Sequence, residues 1–163
     1  MKKTPAFAIL ILAFTLILTS CKKDSKEISI IGKWRITERG DSFYLAGNLV
    51  LDNPSEPVSV LSTNSISYWF NSDGTFSQYF YLSNSIPYKL AESGKYALTD
   101  ANSTLNLYTN DSKPLDTFKI SLTDKNTMVL IETITYNTPT GIGTPTGDAK
   151  FDRYDRTFTF TRL

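Results

Sequence analysis

Two hydrophobic patterns divide the chain. Over 6–18 the side chains are apolar with no period, broken only by Thr15, and Cys21-Lys22-Lys23-Asp24 closes the run. From Ile28 on, apolar and polar residues alternate in short stretches bounded by Asn, Asp, Gly and Ser clusters. That alternation is the mark of half-buried antiparallel strands, and no long 3.6-residue period competes with it. The pattern predicts a strand over 30–39, a hairpin over 67–82, and strands over 94–99, 104–109, 116–122, 127–136 and 154–162. The hairpin turns at Asn71-Ser72-Asp73-Gly74, where Asp-Gly supplies the positive-φ positions of a tight turn. Asp100-Ala101-Asn102-Ser103 and Thr123-Asp124-Lys125-Asn126 make two more short turns. Connections this short favour sequential pairing, and eight strands so joined predict an all-β, antiparallel up-and-down β-barrel without open edges.

Two stretches break the rhythm. Segment 40–65 carries Asp52-Asn53-Pro54-Ser55-Glu56-Pro57 between two apolar pieces, and reads equally as a functional cover or an extra edge hairpin. In 138–147, Thr-Pro-Thr-Gly occurs twice without the Gly-Lys-Ser/Thr ending of a phosphate loop, so it reads as an exposed, flexible turn.

By phase, the residues facing the barrel interior are Trp34, Ile36, Tyr68, Phe70, Phe76, Phe80, Tyr96, Leu98, Leu105, Leu107, Phe118, Ile120, Met128, Leu130, Phe158 and Phe160. Four polar side chains share that phase: Glu38 continues the Trp34 face, Gln78 lies between Phe76 and Phe80, Glu132 follows Leu130, and Arg156 precedes Phe158. A carboxylate inside a barrel is costly unless paired, which predicts an internal Glu132–Arg156 ion pair. An eight-stranded barrel holds either packed side chains or one small ligand. Gln78, Tyr96, Met128, Glu132 and Arg156 are the candidate ligand-binding residues.

Composition narrows the chemistry. Lys and Arg number 17 against 16 Asp and Glu, scattered along the chain, so there is no electrostatic footprint for nucleic acid. Histidine is absent and Cys21 is the single cysteine, which removes the commonest general base, the commonest metal ligand and any disulfide. Accordingly no catalytic residue, metal site or cofactor is assigned.

Met1-Lys2-Lys3 followed by the apolar run fits a secretory signal, and the run is too short to span a bilayer. Leu18-Thr19-Ser20-Cys21 resembles the lipobox of bacterial lipoproteins. The resemblance implies cleavage after residue 20 and acylation of Cys21 with palmitate-type chains. It also implies a short tether over 21–27 and a membrane partner reached through that cysteine. More than one acyl chain is needed for stable anchoring. The expected location is the cell envelope, at the periplasmic or surface face of the outer membrane.

Gly32-Lys33-Trp34 at the head of the first strand resembles the Gly-x-Trp signature of lipocalins. With Asp73-Gly74-Thr75-Phe76, Gly94-Lys95-Tyr96, Leu105-Asn106-Leu107 and Arg162, the layout of 28–163 is similar to that of the lipocalin-like lipoproteins of Bacteroidota. The resemblance implies that Trp34 closes the narrow end of the barrel and that Arg162 packs across it, a structural pair. Two functions follow as expectations. One is an envelope lipoprotein binding a small hydrophobic or amphipathic ligand. The other is a non-catalytic interaction module with a solidly packed barrel, its segments 40–65 and 137–150 touching an envelope protein partner. An open internal pocket reaching Glu132 and Gln78 favours the first.

Overall fold

The computed structural model describes residues 29–59, 65–80, 89–144 and 147–163. The signal segment 1–20, the tether 21–27 and Cys21 lie outside the described residues. Nine strands follow one another: β1 (Gly32–Leu45), β2 (Asn48–Pro57), β3 (Ile66–Phe70), β4 (Thr75–Phe80), β5 (Lys89–Thr99), β6 (Thr104–Thr109), β7 (Pro114–Leu122), β8 (Thr127–Thr144) and β9 (Gly147–Arg162). Each of β3 to β9 pairs antiparallel with the next, and β1 pairs with both β3 and β9, which closes an eight-stranded barrel. The ninth strand, β2, rides on the upper half of β1, on the edge whose lower half takes β3. All these pairings and both hydrophobic clusters lie between Ser29 and Leu163, so the segment from Lys22 on contains every strand and core residue named among the described residues.

The turn at 71–74 forms as its residues dictate. Gly74 takes φ 81°, its amide donates to the Asn71 carbonyl at 3.2 Å, and Asp73 Oδ1 accepts from the Thr75 amide at 2.9 Å. Gly94 has a different reason to be glycine, because a Cβ there would collide with the Tyr108 carbonyl oxygen on β6.

The closed end is a packed core. Trp34, Phe70, Phe76, Leu105, Met128, Leu130 and Phe160 are 2 % exposed or less. Gly32, at φ 140°, leaves the space that the Arg162 guanidinium occupies. From there the guanidinium lies 4.3 Å from the Trp34 ring and donates to the carbonyls of Ser29, Ile31 and Lys125 at 2.6, 2.6 and 2.7 Å. Trp34 Nε1 donates to the Ile30 carbonyl, so the buried ring leaves no polar atom unpaired.

Of the residues expected inside, all are buried except Phe80, Tyr96 and Leu98. Phe80 is 37 % exposed because it ends β4 opposite Ile66, at the mouth.

Both interrupting segments are largely strand at their described residues, 40–45 and 48–57 in the first and 138–144 in the second. The β1–β2 hairpin turns at Ala46-Gly47, and β8 and β9 stay paired from Thr127–Thr161 to Thr144–Gly147, with one irregularity between Thr135 and Thr140. Because β1 and β9 are neighbours, the two hairpins form a four-stranded wing, β2-β1-β9-β8, that prolongs the barrel wall past its open end. The flexible turn expected over 138–147 is corrected for its described residues: cross-strand bonding and a small core of Phe43, Phe151 and Tyr154, joined by Leu51, Ile134 and Ile142, hold 138–144 in sheet, and residues 145–146 lie outside the described residues. Phe43 stacks on Tyr154 at 4.9 Å between centroids and meets Phe151 edge-on at 4.9 Å.

Candidate functional site

The site is built by register. Along the interior of β8, β9 and β1, cross-strand rows rise from the closed end. Met128, Phe160 and Ile36 form one row, and Leu130, Phe158 and Arg39 the next. Then come Glu132, Arg156 and Asp41, and above them Ile134, Tyr154 and Phe43. The step from Ile36 to Arg39 is three residues because a bulge in β1 interrupts its pairing with β9 between Ile36 and Glu38. A bulge puts two residues opposite one and so exchanges the faces of everything beyond it. Glu38 therefore does not continue the Trp34 face. It is exposed, and Arg39, Asp41 and Phe43 turn inward in place of Glu38, Gly40 and Ser42.

The charged row is an acid–base–acid ladder. Arg156 Nη1 donates to Glu132 Oε2 at 3.3 Å, and Arg156 Nε donates to the Tyr154 hydroxyl at 2.6 Å. That hydroxyl in turn donates to Asp41 Oδ1 at 2.9 Å, and Arg156 Nε lies 3.6 Å from the same oxygen. Arg39 Nη2 reaches Asp41 Oδ2 at 3.7 Å. Burial opposes the charge on Arg156, but Tyr154, Glu132 and Asp41 together outweigh it and raise its pKa. Burial, followed by the hydrogen bond to Asp41, raises that of Tyr154 against the pull of Arg156. Two cations thus face two carboxylates, and the ladder is neutral.

Beneath the ladder lies a cavity of about 190 Å³ lined by Ile66, Tyr68, Gln78, Asp116, Phe118, Leu130, Glu132, Arg156, Phe158 and Phe160. Its floor is aromatic and its upper wall polar. Tyr68 is 5 % exposed, yet no described residue hydrogen-bonds its hydroxyl. Burial, and then the carboxylates of Asp116 and Glu132, push that phenol well above its ordinary pKa. Asp116 stands at the rim, where partial desolvation raises its pKa and no described cation approaches it. A wider groove of about 510 Å³ runs outside the cavity between Arg39, Gly40 and Asp41 of β1 and residues 53–59. The Asp41–Arg156 contact divides the two hollows, since Asp41 lines the groove and Arg156 the cavity.

Among the five candidate residues, Gln78, Glu132 and Arg156 meet in the cavity, and the Glu132–Arg156 ion pair forms. Met128 is fully buried in the packed half. Tyr96 lies toward the closed end, its hydroxyl donating to the Asn71 carbonyl at 2.9 Å, beside a separate cleft bounded by Ile30, Leu98 and Ile120. Periodicity missed Asp41 and Arg39 because the bulge hides them. It took Tyr68 for ordinary core, and Asp116, two residues before Phe118, was legible by phase. Among the described residues no group of three His, Cys, Asp or Glu side chains could hold a metal ion.

The family model described as a lipocalin-like domain matches residues 30–130, from two residues before β1 to the fourth residue of β8. No curated protein matches the chain.

Proposed function

The chain belongs to the lipocalin-like domain family, and on that premise we propose that it is a lipid-anchored envelope protein whose barrel takes up one small amphipathic molecule. The observation that carries this reading is the cavity between Gln78, Glu132 and Arg156, open at the end opposite the Trp34–Arg162 plug. Its aromatic floor suits an apolar body, and the ladder and the Tyr68 hydroxyl, which has no hydrogen-bond partner among the described residues, suit a polar head. No reaction is assigned, because the two inward carboxylates beside Arg156 are both engaged by it. Anchoring through acylated Cys21 supplies the envelope location, and binding supplies the activity.

Native mass spectrometry of the segment from Lys22 on, after exposure to an extract of its own envelope, tests the binder. A retained small molecule supports it, and a bare mass with a protein bound instead favours an interaction module. That second reading draws on the wing, where Leu49, Val50 and Tyr136 are 55, 41 and 40 % exposed. The anchor is tested by Cys21→Ser: the variant should leave the membrane fraction, and unchanged association refutes lipidation.

A further inference from the structure

The charges around the cavity do not cancel. Arg39, Asp41, Arg156 and Glu132 neutralise one another through contacts of 3.3 to 3.7 Å, which leaves Asp116 without a counter-ion among the described residues. Tyr68 lines the same cavity, near enough to feel the Asp116 charge; it is 5 % exposed, and its hydroxyl has no hydrogen-bond partner among the described residues. The rings of Tyr68, Phe118 and Phe158 line the same cavity as Asp116. Aromatic faces with an unpaired carboxylate are the surroundings that bind a desolvated ammonium. An anionic head would meet Asp116 and Glu132 with the single guanidinium already committed. At about 190 Å³ the cavity is smaller than the roughly 300–1,000 Å³ of drug-sized sites, so the ligand is compact.

We propose that the cavity selects a small organic cation, an ammonium carried on a short aromatic or aliphatic body, with Asp116 as its counter-ion and the Tyr68 hydroxyl as a hydrogen-bonding partner. The proposal deepens the binder reading and rests on it. In the bound state the ammonium donates to Asp116 and Tyr68, Gln78 closes the side of the head group, and the hydrocarbon lies over Phe118 and Phe158. The Arg156 ladder holds the wall in place and is not itself the recognition group.

The test is titration calorimetry of the segment from Lys22 on with three probes of matched shape: 2-phenylethylammonium, 2-phenylethanol and phenylacetate. The ammonium should bind at least about tenfold tighter than the alcohol, and phenylacetate weakest. Asp116→Asn, whose rim position leaves the core untouched, should lose the ammonium preference and keep the affinity for the alcohol. An unchanged urea midpoint establishes that this variant is folded. If the alcohol or the carboxylate binds as tightly as the ammonium, the charge preference is overturned while the binder reading stands. If none of the three binds, the cation proposal is overturned, and the binder reading is decided separately by the native mass spectrometry above. Retention of the ammonium preference in Asp116→Asn would also overturn the assignment of Asp116.

Discussion

Replacing Arg156 by Met removes the hinge of the polar ladder and leaves its carboxylates facing each other. Two contacts and one hydrogen bond go with it: Glu132 at 3.3 Å, Asp41 at 3.6 Å and the Tyr154 hydroxyl at 2.6 Å. A fully exposed ion pair contributes about 0–1 kcal/mol, and breaking a fully buried one costs about 3–5 kcal/mol. The three side chains are 29, 23 and 23 % exposed, which places the ladder between these limits. The expected loss is about 2 kcal/mol. With an m-value of about 1.5 kcal/mol/M for a domain of this size, the urea midpoint falls by about 1.3 M. Equilibrium urea unfolding at pH 7, followed by tryptophan fluorescence, reads that shift. Glu132→Gln added to Arg156→Met should recover part of the loss, because it neutralises the acid that the first change strands. A midpoint for Arg156→Met within about 0.3 M of the wild type would refute the ladder as a structural element, as would a double variant less stable than the single one.

Three further outcomes follow from the same geometry. Gly94→Ala forces a Cβ into the Tyr108 carbonyl and should cost about 1–3 kcal/mol by urea unfolding, while Gly141→Ala, whose Cβ would meet the Ala149 carbonyl oxygen at an ordinary 3.9 Å, should stay within about 0.5 kcal/mol. Arg162→Met removes three charged hydrogen bonds to carbonyls and the guanidinium over Trp34, and should cost about 2 kcal/mol with a change in Trp34 fluorescence; unchanged emission would contradict that contact. Burial raises the Tyr68 pKa in the folded state, so its stabilising contribution is intact below the unfolded value near 10 and is lost as pH rises through the folded value. Stability should therefore fall above pH 10, and Tyr68→Phe should remove about 1.4 kcal/mol per pH unit of that slope; equal slopes for the two proteins would place the Tyr68 phenol in solvent.

The barrel was legible where alternation and turn chemistry agreed. Asp73-Gly74 fixed one hairpin, and the interior phase of β6, β7 and β8 follows directly from Leu105, Phe118 and Met128. Ion pairing between Glu132 and Arg156 was legible for the same reason, since both strands keep a period of two as far as that row. The second acid was not. Asp41 reaches the ladder only because one extra residue in β1 exchanges its faces, and a bulge leaves no mark in a polar segment such as Thr37-Glu38-Arg39-Gly40. The wing was hidden by composition. The first Thr-Pro-Thr-Gly resembles a loop, yet here it extends an existing β8–β9 ladder, backed by Phe43 of β1, which lies distant in sequence and packs on Phe151. Whether the aromatic interior filled completely was also beyond periodicity, which reports the face of a side chain but not the volume left between faces.

The central claim is that the molecule binds its ligand inside the barrel and not along the wing. Heteronuclear NMR of the segment from Lys22 on, titrated with a small molecule that it retains in native mass spectrometry, tests it most directly. Binding inside the barrel predicts shifts concentrated at the Gln78 side-chain amide and at the methyl groups of Ile66 and Leu130. Shifts confined to Leu49, Val50 and Tyr136, with Gln78 and Leu130 unmoved, would contradict it.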